Sequence, residues 1–106
     1  MFVKFYVPSK DSQGQALADN ERNSALESVA IAMSMKFGGA TATDGQGYYI
    51  TKAGQLIAED IKILASYTDA IDDSIRAEIR AIARIVKVNL RQESIMLEFG
   101  DAAEFI

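Results

Sequence analysis

The chain has no cysteine, no histidine and no tryptophan, and a single proline among 106 residues. Without cysteine there is no disulfide framework, no thiol nucleophile and no thiolate metal site. Without histidine the usual neutral-pH general base, every Ser-His or Cys-His pair and the commonest zinc ligand are gone. A carboxylate-only Mg²⁺ or Ca²⁺ site needs no such residue, but no EF-hand spacing occurs. No metal and no cofactor are therefore expected. No apolar run approaches the roughly 18 residues of a membrane span. The start "MFVKFYVPSK" has no signal-peptide pattern, so a cytoplasmic protein without a membrane partner is expected. Positive charge is also short: 11 Lys and Arg stand against 15 Asp and Glu, a net charge of −4. Dedicated nucleic-acid binders normally carry a basic excess, so nucleic acid is not the expected partner. These absences weigh against catalysis, and no catalytic residue is assigned.

What is present has the length and composition of one globular domain, residues 1–106. "FVKFYV" (2–7) alternates and is rich in β-branched and aromatic residues, a strand that Pro8 stops. A polar segment leads to a helix starting near Asp19 or Asn20, with Leu26, Val29, Ala30, Met33 and Phe37 on one face. Gly38 falls where a left-handed glycine closes a helix. "YYIT" (48–51) reads as a second strand, "KAGQ" (52–55) as a turn, and Leu56–Tyr67 as a third strand. Ile61, Ile63, Ala65 and Tyr67 are expected to face its core. Acids at 69–73 open a second helix carrying Ile75, Ile79, Ile82, Val86 and Leu90, and "SIMLEF" (94–99) is the last strand. The order β-α-β-β-α-β predicts an α+β, ferredoxin-like fold, with a four-stranded antiparallel sheet and two helices on one face.

The stretch "KFGGATATDGQGYY" (36–49) holds four of the seven glycines between Gly38 and Gly47. It is no phosphate loop of the two well-specified kinds, because both run from strand into helix whereas this runs from helix into strand. Thr41, Thr43 and the amides of Gly45 to Gly47 can form a small ligand nest, with Tyr48 or Tyr49 to stack on a ring. A bent connection with a bulged strand entry explains the same glycines. The second helix carries Arg76, Arg80, Arg84, Lys87 and Arg91 at spacings of four, four, three and four. That basic stripe can seat an anion, or it can be a solvated face whose arginines pair with local acids. On the sheet's uncovered face, Phe2, Tyr6, Leu64 and Met96 are expected to form an apolar patch suited to homodimerisation.

Three stretches, "KFGGATATDGQGYY", "TKAGQLIAEDIKIL" and "LRQESIMLEF", together resemble a group of small uncharacterised bacterial, phage and plasmid proteins. In that group a helix ending F-G-G-A-T precedes a G-x-G-aromatic strand, and a second helix runs into Q-E-S or Q-E-A before the last strand. The aromatic is often Trp there and is Tyr48 or Tyr49 here. The resemblance implies an accessory protein of mobile elements, with Gln92, Glu93 and the glycine stretch as shared surface features. The leading expectation is a non-enzymatic, self-associating module, either a mobile-element accessory or a counter-defence protein, that binds a small anionic ligand or a protein partner. Its contacts would be Arg76, Arg80 or Arg84 with the Thr41–Gly47 stretch and Tyr48 or Tyr49. The rival is a small dimeric α+β barrel-type enzyme with a pocket under the sheet using Tyr6, Glu59 or Glu98. A purely structural interaction module is the third alternative.

Overall fold

In the first strand Lys4 and Tyr6 alternate with Val3, Phe5 and Val7, so one edge of the pattern must be buried and the other cannot be. The computed structural model, which describes all 106 residues, buries Val3, Phe5 and Val7 completely. That strand, β1 (Phe2–Val7), is followed by α1 (Asp19–Phe37), β2 (Thr41–Ile50), β3 (Leu56–Tyr67), α2 (Asp73–Asn89), β4 (Met96–Phe99) and β5 (Ala102–Phe105). The sheet order is β2-β3-β1-β4-β5, and every neighbouring pair is antiparallel. The fold is α+β and ferredoxin-like, with a fifth strand added beyond β4.

Both helices form as their sequences direct. Asp72 caps α2, its side chain accepting from the Ile75 amide at 2.8 Å. Gly38 ends α1 at φ +90°, a left-handed conformation that glycine adopts without Cβ strain. Val29 and Met33 of α1 and Ile79, Ala83 and Val86 of α2 pack onto the β1 core with Leu97 and Phe99 of β4. All of this lies on one side of the sheet.

Three expectations are corrected. First, the sheet has five strands, not four: the tail folds back through the two-residue Gly100–Asp101 turn, with Gly100 at φ +63°, and pairs as β5. Second, β2 starts at Thr41 rather than Tyr48, so Thr43, Gly45 and Gly47 are strand residues. The Gly45–Gly47 stretch is therefore part of a ladder and not a loop nest. Glycine fits there because Ile61 and Ile63 of β3 lean across it; a Cβ at Gly45 would come within 3.3 Å of each. Third, the two faces of β3 are exchanged. Phe5 pairs with Leu64 and Val3 with Ser66, so Leu64 and Ser66 are buried under the helices. Ile61, Ile63 and Ala65 lie on the other face. Leu64 thus drops out of the expected patch.

Candidate active site on the open sheet face

Paired residues in a ladder share a face, so the registers fix the membership of the uncovered side. It carries Thr41, Thr43, Gly45, Gly47 and Tyr49 of β2, Glu59, Ile61 and Ile63 of β3, and Phe2, Lys4 and Tyr6 of β1. Met96 and Glu98 of β4 and Phe105 of β5 complete it. Around Tyr6 this face hollows into a cleft of about 460 Å³, floored by Ile61 and Met96 and walled by Tyr49, Phe105 and Glu59. A second, polar recess of about 350 Å³ shares Tyr49, Glu59, Gln92 and Ser94 with it and adds Lys10, Asp11 and Glu93. The two form one groove with an apolar end and a charged end. A larger recess of about 500 Å³ lies between the helices, but its one carboxylate, Glu21, is held by Arg91 at 2.8 Å.

Two carboxylates bear on the groove: Glu59 lines it, and Glu98, on the same face, meets it through the Tyr6 hydroxyl. Lys4 pairs with Glu98, which sets Tyr6 diagonally across from it, and the Tyr6 hydroxyl donates to Glu98 Oε1. Burial, then the hydrogen bond to Glu98 and its negative charge, push the Tyr6 phenol up to about 12. Tyr6 is consequently a neutral donor at physiological pH and not a base. Glu59 Oε1 accepts from the backbone amides of Ser9 at 3.0 Å and Lys10 at 3.1 Å, leaving its other oxygen unengaged. No group of three acidic side chains converges to hold a metal ion.

The expected ligand residues divide. Thr41, Thr43, Gly45, Gly47 and Tyr49 lie on the open face, whereas Tyr48 turns to the other and donates to Gln46 Oε1 at 2.8 Å. Arg76, Arg80 and Arg84 belong to α2, across the sheet from the groove. Arg80 grips Glu104 through two 2.8 Å hydrogen bonds, and Arg76 lies 3.5 Å from Asp73. One chain therefore does not bring the arginines to the glycine stretch. Of the expected patch, Phe2, Tyr6 and Met96 do share the open face.

Neither a protein-family model nor a curated protein matches the chain. Two solved structures share its fold. A phage SAM lyase in complex with S-methyl-5′-thioadenosine aligns with a TM-score of 0.65 at 16% identity, covering 99% of this chain and 87% of that one. The phage SAM lyase in its apo state aligns with a TM-score of 0.64 at 15% identity, covering 99% and 86%. The likeness at this identity is one of fold. It corrects the expectation of a non-enzymatic module, since the proteins built on the same frame over nearly the whole chain are enzymes. The absence of His and Cys excludes their chemistry, not catalysis by carboxylates and phenols. No helix is long and apolar enough to cross a membrane.

Proposed function

We propose that this chain is a small lyase acting on a sulfonium nucleoside of the S-adenosylmethionine type, in the groove on the open sheet face. The observation that carries this is a groove lined by Glu59 and the rings of Tyr6, Tyr49 and Phe105, with Glu98 behind it on the Tyr6 hydroxyl, on a fold shared with a phage SAM lyase. A sulfonium substrate is a cation attached to a flat purine. Carboxylates stabilise the cation electrostatically, and the faces of Tyr6, Tyr49 and Phe105 suit both the cation and the ring. The polar end, with Lys10, Asp11 and Glu93, suits the amino-acid arm.

The chemistry needs neither of the missing residue types. S-methyl-5′-thioadenosine is S-adenosylmethionine without its aminobutyrate arm, so the bond broken joins the sulfonium sulfur to that arm. Its electron pair returns to sulfur, which leaves as a neutral thioether and requires no acid. A lyase uses no water, so the arm departs either as a ring or with a new double bond. The ring closes when the arm's own carboxylate displaces the sulfur, with no proton moved. For the double bond, the adjacent carbon gives its proton to a base, the role open to the Glu59 carboxylate. The chain's part is otherwise to bind, orient and hold charge. A phage enzyme that consumes a methyl donor also fits the accessory role implied by the sequence resemblance.

The test is chromatographic: purified chain is incubated with S-adenosylmethionine and S-methyl-5′-thioadenosine is measured. Enzyme-dependent release is expected, reduced about 10²–10³-fold in Glu98→Gln, the scale seen when a charge-stabilising group is lost. No release at any pH, together with no calorimetric binding of S-methyl-5′-thioadenosine, would overturn the assignment.

A further inference from the structure

The groove's wall includes a knot of three segments whose parts come from distant points of the sequence. Pro8 ends β1, and the chain then leaves the sheet through Ser9 and Lys10. The amides of both residues donate to Glu59 Oε1 of β3, at 3.0 and 3.1 Å. From the opposite side, the Gln92 Nε2 donates to the Lys10 carbonyl at 2.6 Å and to the Leu90 carbonyl at 2.9 Å. The Lys10 backbone is thus held at its N–H by Glu59 and at its C=O, in the next peptide, by Gln92. Two carbonyls facing one amide group fix which end of Gln92 is nitrogen. They also consume both its donors and leave its oxygen uncommitted.

The corner that presents Gln92 is conformationally costly. Arg91 adopts φ +52°, the only non-glycine residue of the chain with a positive φ. It is held there by its surroundings: its carbonyl accepts from the Ser12 amide at 2.9 Å, and its guanidinium meets Glu21 at 2.8 Å and Asp11 at 3.8 Å. A strained backbone kept in place by contacts on three sides belongs at a position where geometry matters more than stability.

We infer that Gln92 is a positioning residue for the groove: through the Lys10 backbone it fixes Glu59, whose free oxygen then faces the reacting cation. This rests on the proposed reaction. Glu59 is the one carboxylate of the pair with no side-chain donor of its own to orient it, whereas Glu98 has Tyr6. The Ser9–Lys10 backbone supplies the missing orientation, and Gln92 holds that backbone.

The test uses Gln92→Glu and Gln92→Met, both close in size and both without the two donors, so that one remains informative if the other fails to fold. Amide hydrogen exchange at Lys10 reads the clamp without any activity, and at least about tenfold faster exchange is expected in either variant. Turnover of S-adenosylmethionine per folded molecule is expected to fall about 10–100-fold, the scale of a small misplacement. In combination with Glu59→Gln the loss is expected not to multiply, because Gln92 acts through Glu59. Unchanged exchange at Lys10 would overturn the clamp. Faster exchange with unchanged turnover, or losses that multiply, would overturn the positioning role. A wild-type chain that neither cleaves S-adenosylmethionine nor binds S-methyl-5′-thioadenosine overturns the proposed reaction and the positioning role with it, while the exchange result still decides whether the clamp exists.

Discussion

The two faces of the sheet are built from the same strands and are opposite in character. Under the helices lie Val3, Phe5, Val7, Leu64, Leu97 and Phe99, sealed from water, and the one buried polar residue, Ser66, donates to the Gly39 carbonyl at 2.6 Å. On the other side Tyr6, Glu59, Ile61, Met96 and Glu98 are half-buried, and their polar atoms are tied in specific pairs. Because side chains alternate along a strand, fold and site fall on alternate positions within each strand. Substitutions should separate them as cleanly. Leu97→Ala on the covered face is expected to cost about 3–5 kcal/mol in chemical denaturation, the range for a buried leucine leaving a cavity. Met96→Ala, one residue away, should cost about 1 kcal/mol or less and act on substrate binding instead. A comparable cost for both would mean that the open face is covered in solution, as expected of the patch formed by Phe2, Tyr6 and Met96.

The comparison can also be broken by pH. The Tyr6 phenol titrates near 12 in the folded chain against an ordinary value of 10.0, so its neutral form favours folding. That contribution is complete below pH about 10 and is lost as the pH rises toward about 12, because the unfolded chain loses the proton first. Tyr6→Phe should flatten stability across that alkaline window. The acid limb belongs to the helix side. Arg80 holds Glu104 below the usual carboxylate range, so that contribution is present at neutral pH and fades as pH falls below about 4. A Tyr6→Phe chain that kept the alkaline loss would show that the buried phenol and its bond to Glu98 do not carry it.

How far each face could be read from sequence follows from its physics. Helix positions were legible because Gly38, Asp72 and the isoleucines of α2 each carry an independent signal. β1 was legible in phase because Lys4 marks the wet side. β3 was legible in extent but not in phase, since Ile61 and Ile63 on one face and Leu64 on the other are all apolar, and alternation has no sign to report. β2 was misread because glycine is depleted in strands, and only the partner strand reveals that Ile61 and Ile63 occupy the space. β5, with two alanines and four residues, has weak strand propensity, although the Gly100–Asp101 dipeptide was a usable turn signal. Tyr6, Glu59 and Glu98 were named as a group, but the diagonal contact of Tyr6 with Glu98 depends on register, which no local pattern encodes.

A smaller effect tests whether the helix end matters to the site. Gly38→Ala places a Cβ at φ +90°, with no neighbouring atom within 4 Å, so the cost is backbone strain alone. About 1–2 kcal/mol of stability should be lost in urea titration with turnover per folded molecule unchanged. A loss of turnover would tie the α1 terminus to the groove and weaken the division between faces.

The smallest net effect is expected at Arg91, where two terms oppose. Replacement by glycine relieves a left-handed conformation worth about 1 kcal/mol or slightly more. It also removes the ion pairs with Glu21 and Asp11, weak interactions that salt screens. At low salt the two oppose, and the stability of Arg91→Gly should lie close to that of the wild type. At about 1 M salt the pairs are screened while the backbone term is not, so the variant should become the more stable of the two. Denaturation at the two ionic strengths checks this directly. A variant that is less stable at both would show that the guanidinium holds more than its ion pairs, and that the corner presenting Gln92 depends on Arg91 for its shape.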